Sequence, residues 1–147
     1  MPTVHQSVIV PHSQQAMYEL VDDILKYPEF VHWCASSREM ARGPDSVEAA
    51  LTFEFHGIEH AFSTHNTLKP YERMDINLID GPFDHLTGHW LFKMLDSQMC
   101  EVVLNLDYAF NIPGLSVVFE PVFAHMAHSW VEAFCHRADA LYEDDSD

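Results

Sequence analysis

Near the end of the chain, apolar residues recur at three- and four-residue steps: Leu115, Val118, Phe119, Val122, Phe123, Met126, Trp130, Val131, Phe134, Ala138 and Leu141. His125, Ser129, Glu132, His136 and Asp139 fall between them. That spacing puts the two sets on opposite sides of a helix and predicts one over Leu115–Tyr142. At 1.5 Å per residue it spans roughly 40 Å, too long to be covered by a hairpin and suited to lying across a sheet. Pro121 removes a backbone donor and crowds the preceding turn, so regular helix is expected to begin near it or to kink there.

The middle of the chain changes period. Val47, Ala49, Leu51, Phe53 and Phe55 alternate with Glu48, Thr52, Glu54 and His56, a period of two that predicts a half-buried strand. Gly57 turns it into a second strand, Ile58 to Leu68, which Pro70 ends. Further strands follow at Arg73–Ile79, Leu86–Leu95 and Cys100–Phe110, with Asp80-Gly81-Pro82-Phe83 as a turn. Upstream, Thr3–Val10 is β-rich up to Pro11. Ser13 is a good N-cap for a helix carrying Met17, Leu20, Val21 and Ile24. Pro28 breaks that helix and suits the first turn of a short new one. Strands joined by short turns imply an antiparallel meander with the long helix covering one face, an α+β architecture.

Composition narrows the picture. A chain of 147 residues fits one domain, expected over 1–142, with an acidic tail, 143–147, expected to be disordered. Seven Lys and Arg against 23 Asp and Glu leave a formal charge of −16, a field that repels phosphate backbones and anionic lipids. Free nucleic acid is therefore not expected as a partner, and membrane contact is expected to be transient at most. Cys34, Cys100 and Cys135 are odd in number with no CxxC pair, which reads as reduced thiols in the cytoplasm. The first residues lack a signal-peptide pattern, and no run of about 18 apolar residues follows.

The eleven histidines raise the question of a metal. His125, His128 and Glu132 share one side of the long helix, but it is the polar side and HExxH is absent, so a solvated face is expected and no metal. No GxSxG, Walker or GxGxxG motif specifies a catalyst. The more informative residues are His60, Thr64 and Asn66, which share the phase of Ile58, Phe62 and Leu68. Packed into a dry core, their polar atoms would cost about 1 to 3 kcal/mol each. Either they line a cavity, or they reach water at strand ends or in a hydrated gap. The aromatics Phe53, Phe62, Trp90, Phe119, Phe123 and Trp130 would then form its apolar wall or simply the core.

Four stretches carry a resemblance: VPHSQQAMYELVDDILKYPEFVHWC, FSTHN, LIDGPFDHLTGHWLF and the closing helix. Together, from about Val8 to Ala138, they resemble the coenzyme Q-binding, polyketide-cyclase-like START-domain family, in its bacterial ribosome-association toxin branch. The resemblance implies a helix-grip fold: seven antiparallel strands around the C-terminal helix, two small helices after the first strand, and a hydrophobic tunnel between sheet and helix. Pro28, Phe30 and Trp33 match the segment near the tunnel mouth. Asp80, Gly81, Pro82, Phe83, Gly88 and Trp90 match the strongest motif. The expected function is non-catalytic binding of ubiquinone or a related isoprenoid lipid, with no cofactor required. One alternative is toxin activity on the large ribosomal subunit, blocking subunit association; another is a cyclase-like enzyme using the same cavity. His65 stands where many relatives carry arginine, and the chain is far more acidic.

Overall fold

The computed structural model describes residues 3–31, 33–55, 58–111 and 115–142, with 55, 58, 115–123 and 142 described by backbone alone. Eleven segments follow in order. Strand β1 (Thr3–Val10) leads to helix α1 (Gln14–Asp22), a 3-10 turn (Ile24–Lys26) and the short α2 (Tyr27–Phe30). Six strands then run consecutively: β2 (Cys34–Arg42), β3 (Ser46–Phe55), β4 (Ile58–Lys69), β5 (Arg73–Asp80), β6 (Phe83–Asp96) and β7 (Met99–Phe110). Helix α3 (Leu115–Tyr142) closes the chain.

One antiparallel sheet contains all seven strands in the order β1-β7-β6-β5-β4-β3-β2. Strands β2 to β7 form the expected meander, and β1 joins it by pairing with β7, from Thr3 opposite Asp107 to Val10 opposite Cys100. The period of two is visible in burial. Val47, Ala49, Leu51 and Phe53 of β3 and Phe62, Thr64, Asn66 and Leu68 of β4 are buried on one face, while their neighbours are more open. Met126, Ala127, Trp130, Val131, Phe134 and Ala138 of α3 are buried in the same core. His125, His128, Glu132 and His136 are exposed, as the helical stripe requires.

Local chemistry explains the termini. The Ser13 side chain accepts from the Ala16 amide at 3.1 Å and caps α1, which buries Met17, Tyr18, Leu20 and Val21. Pro28 sits in the first turn of α2, where a missing N–H costs nothing. The Tyr27 hydroxyl donates to the Val21 carbonyl, and Ser37 donates to the Ile24 carbonyl at 2.8 Å, tying the 3-10 turn to β2.

Three expectations change. The periodicity shows six strands, whereas the resemblance implies seven; β2 is the one hidden from it, because it is a polar edge strand, largely exposed and broken by two register shifts. Leu141 is 47% exposed, so the buried stripe ends at Ala138. Helix α3 is continuous from Leu115, so of the two expectations for Pro121, a start or a kink, the start is excluded. The tail 143–147, His32, and the turn residues His56 and Gly57 lie outside the described residues.

Candidate functional site: a cavity between the sheet and the long helix

The pairing register brings the candidate residues together. Thr64 lies opposite Ala49, and Asn66 lies between Val47 and Ile76; Met74 lies opposite Trp90. Ala49, Thr64, Asn66, Met74, Ile76 and Trp90, with Ile24, Tyr27, Leu51, Phe62, Leu86, Leu106 and Trp130, line a cavity of about 30 Å³ between sheet and α3. That is room for about one water molecule. Its wall is apolar apart from Thr64 and Asn66, 8% and 7% exposed, and the Tyr27 hydroxyl, already committed to Val21. Burial pushes the Tyr27 phenol well above its ordinary value, so it stays neutral. The Asn66 Oδ1 and the Trp130 Nε1 are buried with no hydrogen-bond partner.

Above the cavity stands a cluster of perpendicular rings. Trp130 meets Trp33 at 5.5 Å, Trp90 at 5.4 Å and Tyr27 at 6.0 Å between centroids, and Phe134 meets Tyr27 and Phe30 at 5.2 Å. Edge-to-face contacts of this kind order an aromatic core. Of the residues expected to line the cavity, Phe62, Thr64, Asn66, Trp90 and Trp130 do so. Phe30, Trp33, Phe53 and His60 do not. Phe53 is fully buried against Phe62 and the His60 ring, and His60 is half-buried near the start of β4. Trp33 packs behind Trp130, and Phe30 is half-buried against Tyr27 and Phe134, with the Arg137 guanidinium 5.2 Å over its ring. The side chains of Phe119 and Phe123 lie outside the described residues. Ile24 and Tyr27, and the strand residues Ala49, Leu51, Met74, Ile76, Leu86 and Leu106, line the cavity without being among those expected, because nothing local shows that the register carries them there.

The glycine-rich stretch has a steric explanation. Gly81 has φ +151°, and a Cβ there would lie 2.7 Å from that of Phe62. Its amide is held by Asp80 Oδ1 at 3.0 Å, and the Pro82 carbonyl accepts from the Asn111 amide at 3.0 Å. Phe83 stacks on Phe110 at 4.8 Å and meets Phe62 edge-on at 5.8 Å. A Cβ on Gly88 would fall 2.1 Å from the Asn105 carbonyl oxygen. Asp80 to Trp90 is thus a wall-building segment that sets Leu86 and Trp90 against the cavity.

A family model described as polyketide cyclase / dehydrase and lipid transport matches residues 10–135. The chain belongs to that family. Among its relatives, the ribosome association toxin RatA of Pseudomonas aeruginosa is 34% identical over 139 residues, covering 95% of this chain and 96% of that protein. The mitochondrial coenzyme Q-binding protein COQ10 of Drosophila melanogaster is 31% identical over 138 residues, covering 88% of this chain and 57% of that protein. Among solved structures, the Zhui aromatase/cyclase of Streptomyces superposes with a TM-score of 0.83 at 17% identity, over 93% of both chains, a likeness of fold. This family member thus has the seven-stranded sheet and long closing helix of START-like proteins. Among the described residues, no three His, Cys, Asp or Glu side chains are grouped as metal ligands, and no helix is long and apolar enough to cross a membrane.

Proposed function

We propose that this protein acts on ribosome association by binding, as a RatA-type member of its family. The observation that carries this reading is the near full-length match to the Pseudomonas RatA, with no large insertion on either side. The cavity supports it from the other direction. Its wall offers no pair of acidic and basic side chains for general acid-base chemistry. At about 30 Å³ it is also far below the roughly 300 to 1,000 Å³ of a typical ligand pocket. A quinone headgroup would enter only if α3 moved away from the sheet.

The route to the ribosome follows from charge. Lys26, Arg42, Lys69, Arg73 and Arg137 are each within 4.0 Å of a carboxylate of this chain. A chain of −16 in which five of the seven Lys and Arg side chains are already paired offers RNA little to hold, so contact runs through basic ribosomal proteins. Such contact weakens as salt rises. The test is sedimentation of purified ribosomal subunits with added protein over a range of salt and magnesium concentrations. The expected result is co-migration with the large subunit and loss of joined ribosomes. A profile unchanged at every salt concentration removes the reading.

Isoprenoid binding is the second reading, favoured by the likeness to COQ10 and by the apolar wall with one unpartnered acceptor, Asn66 Oδ1. Each buried methylene would contribute about 0.8 kcal/mol, so affinity should rise with chain length. Titrating short-chain ubiquinones against tryptophan emission tests it; the absence of a saturable change at any length leaves it without support.

A further inference from the structure

The two edges of the sheet are built differently. At one edge β2 carries Arg38, Glu39 and Arg42, has register shifts at Cys34/Ser36 and Glu39/Ala41, and is tied down by Ser37 to Ile24 and by Arg42 to Asp22 at 3.1 Å. Bulges, charges and covering segments are the ordinary protections of an exposed edge. At the other edge β1 has neither bulge nor charge. Its eight residues, TVHQSVIV, contain no Lys, Arg, Asp, Glu or Pro, and pair with β7 without a register shift. Among the described residues, no backbone hydrogen bond outside the ladder reaches β1. A regular, unprotected edge is a template for one more strand.

A groove of about 230 Å³ runs beside this edge, between β1 and α3. Val8, Val131 and Cys135 form its apolar floor, with Gln6 and His136 beside them; Glu132 and Asp139 stand on its rim, both exposed, and Asp139 Oδ1 already meets His12 Nε2 at 2.7 Å, so Glu132 is the more open of the two. Burial and the two neighbouring carboxylates push the Cys135 thiol up to about 11, so the floor stays neutral at physiological pH. We propose that the β1 edge and this groove accept an extended, cationic segment of a partner protein as an eighth strand. Backbone pairing along β1 supplies the register, and every second side chain, on the face toward α3, enters the groove, where the apolar stem of a lysine or arginine covers the floor and its charge meets the Glu132 and Asp139 carboxylates. A second copy of this chain fits the same edge poorly, because each copy carries −16. That the partner is a ribosomal protein rests on the reading above; the groove itself does not.

The probe is a labelled peptide of alternating lysine and valine, titrated into the full chain by fluorescence anisotropy and followed by amide hydrogen exchange. The expected result is saturable, salt-sensitive binding that slows exchange at alternate β1 amides. Glu132→Lys should weaken it roughly tenfold, the effect of losing one ion contact, whereas Glu59→Lys on β4, away from the groove, should leave it unchanged. Replacing alternate peptide residues with proline, which removes the pairing donors, should abolish it. Equal weakening by both substitutions, protection outside β1, or undiminished binding of the proline peptide would each overturn the proposal. So would β1 protection in a dimer of the chain alone. The ribosome reading is tested separately. Co-sedimentation that is indifferent to Glu132→Lys keeps the ribosome reading and overturns the groove as its contact, while peptide bound at β1 with no co-sedimentation keeps the groove and removes the ribosome reading.

Discussion

Trp130 offers the most direct test of how the core is held. It is 7% exposed, lines the cavity, and meets Trp33, Trp90 and Tyr27 nearly at right angles. Trp130→Ala removes all three contacts and enlarges an existing void, so the cost should reach the upper part of the roughly 3 to 5 kcal/mol seen for large aromatics. One effect runs the other way: the indole Nε1 is buried without a partner, and removing it relieves about 1 to 3 kcal/mol. A net loss near 3 kcal/mol is therefore expected for Trp130→Ala, which corresponds to a fall of roughly 6 to 12 °C in Tm for a chain of this size. Trp130→Phe separates the two effects. It keeps a ring against the cluster and deletes the orphan donor, so the net loss should stay below about 1 kcal/mol. Urea unfolding followed by far-UV circular dichroism measures both, free of the change in tryptophan emission. Equal losses in the two variants would refute the reasoning, since they would mean that the indole N–H has a partner, such as a cavity water, worth as much as the packing.

Gly88→Ala places a methyl group 2.1 Å from the Asn105 carbonyl oxygen, which β7 pairing holds in place. The loss should be at least the roughly 3 kcal/mol at the top of the overpacking range, and an unchanged thermal midpoint would show that β6 and β7 do not approach this closely. His89 is held below its ordinary value of 6.5, first by burial and then by the Arg73 charge, while its Nε2 accepts from Asn105 at 2.9 Å. Its unfolded form therefore binds a proton first, and stability should decline as pH falls through 6.5; His89→Gln should flatten that slope in urea titrations at several pH values, and an unaltered slope would assign it to other groups. Burial pushes the Cys34 and Cys100 thiols up to about 11, so iodoacetamide at pH 8 should label the native chain far more slowly than the urea-unfolded one. Equal rates would place those thiols at the surface.

What the sequence made legible depends on how local each signal is. The α3 stripe, the alternation in β3 and β4, and the Ser13 cap are read within a few residues, and each is where its period or side chain puts it. The polar phase of Thr64 and Asn66 was likewise visible, and both face the cavity. Strand β2 was hidden because an exposed edge has no buried face to create alternation. Phe53 and His60 illustrate a second limit: they share the inner face with Thr64, but distance along the strand decides which residues reach so small a void. The contributions of Ile24 and Tyr27 come from a turn that folds back over the sheet, a long-range fact with no periodic trace.

The closure of the sheet by its first strand has a consequence for how the protein is made. Because β1 pairs only with β7 in the sheet, a ribosome emits the N-terminal strand and then synthesises roughly 100 residues before its partner emerges, a wait of about 5 to 20 s at ordinary elongation rates. The β2-to-β7 meander can pair strand by strand as it appears, since each member neighbours the next in sequence. An apolar, uncharged VIV segment thus has no partner strand until β7 emerges, while the strands between them can already pair, and the sheet is complete only when the first strand meets the last.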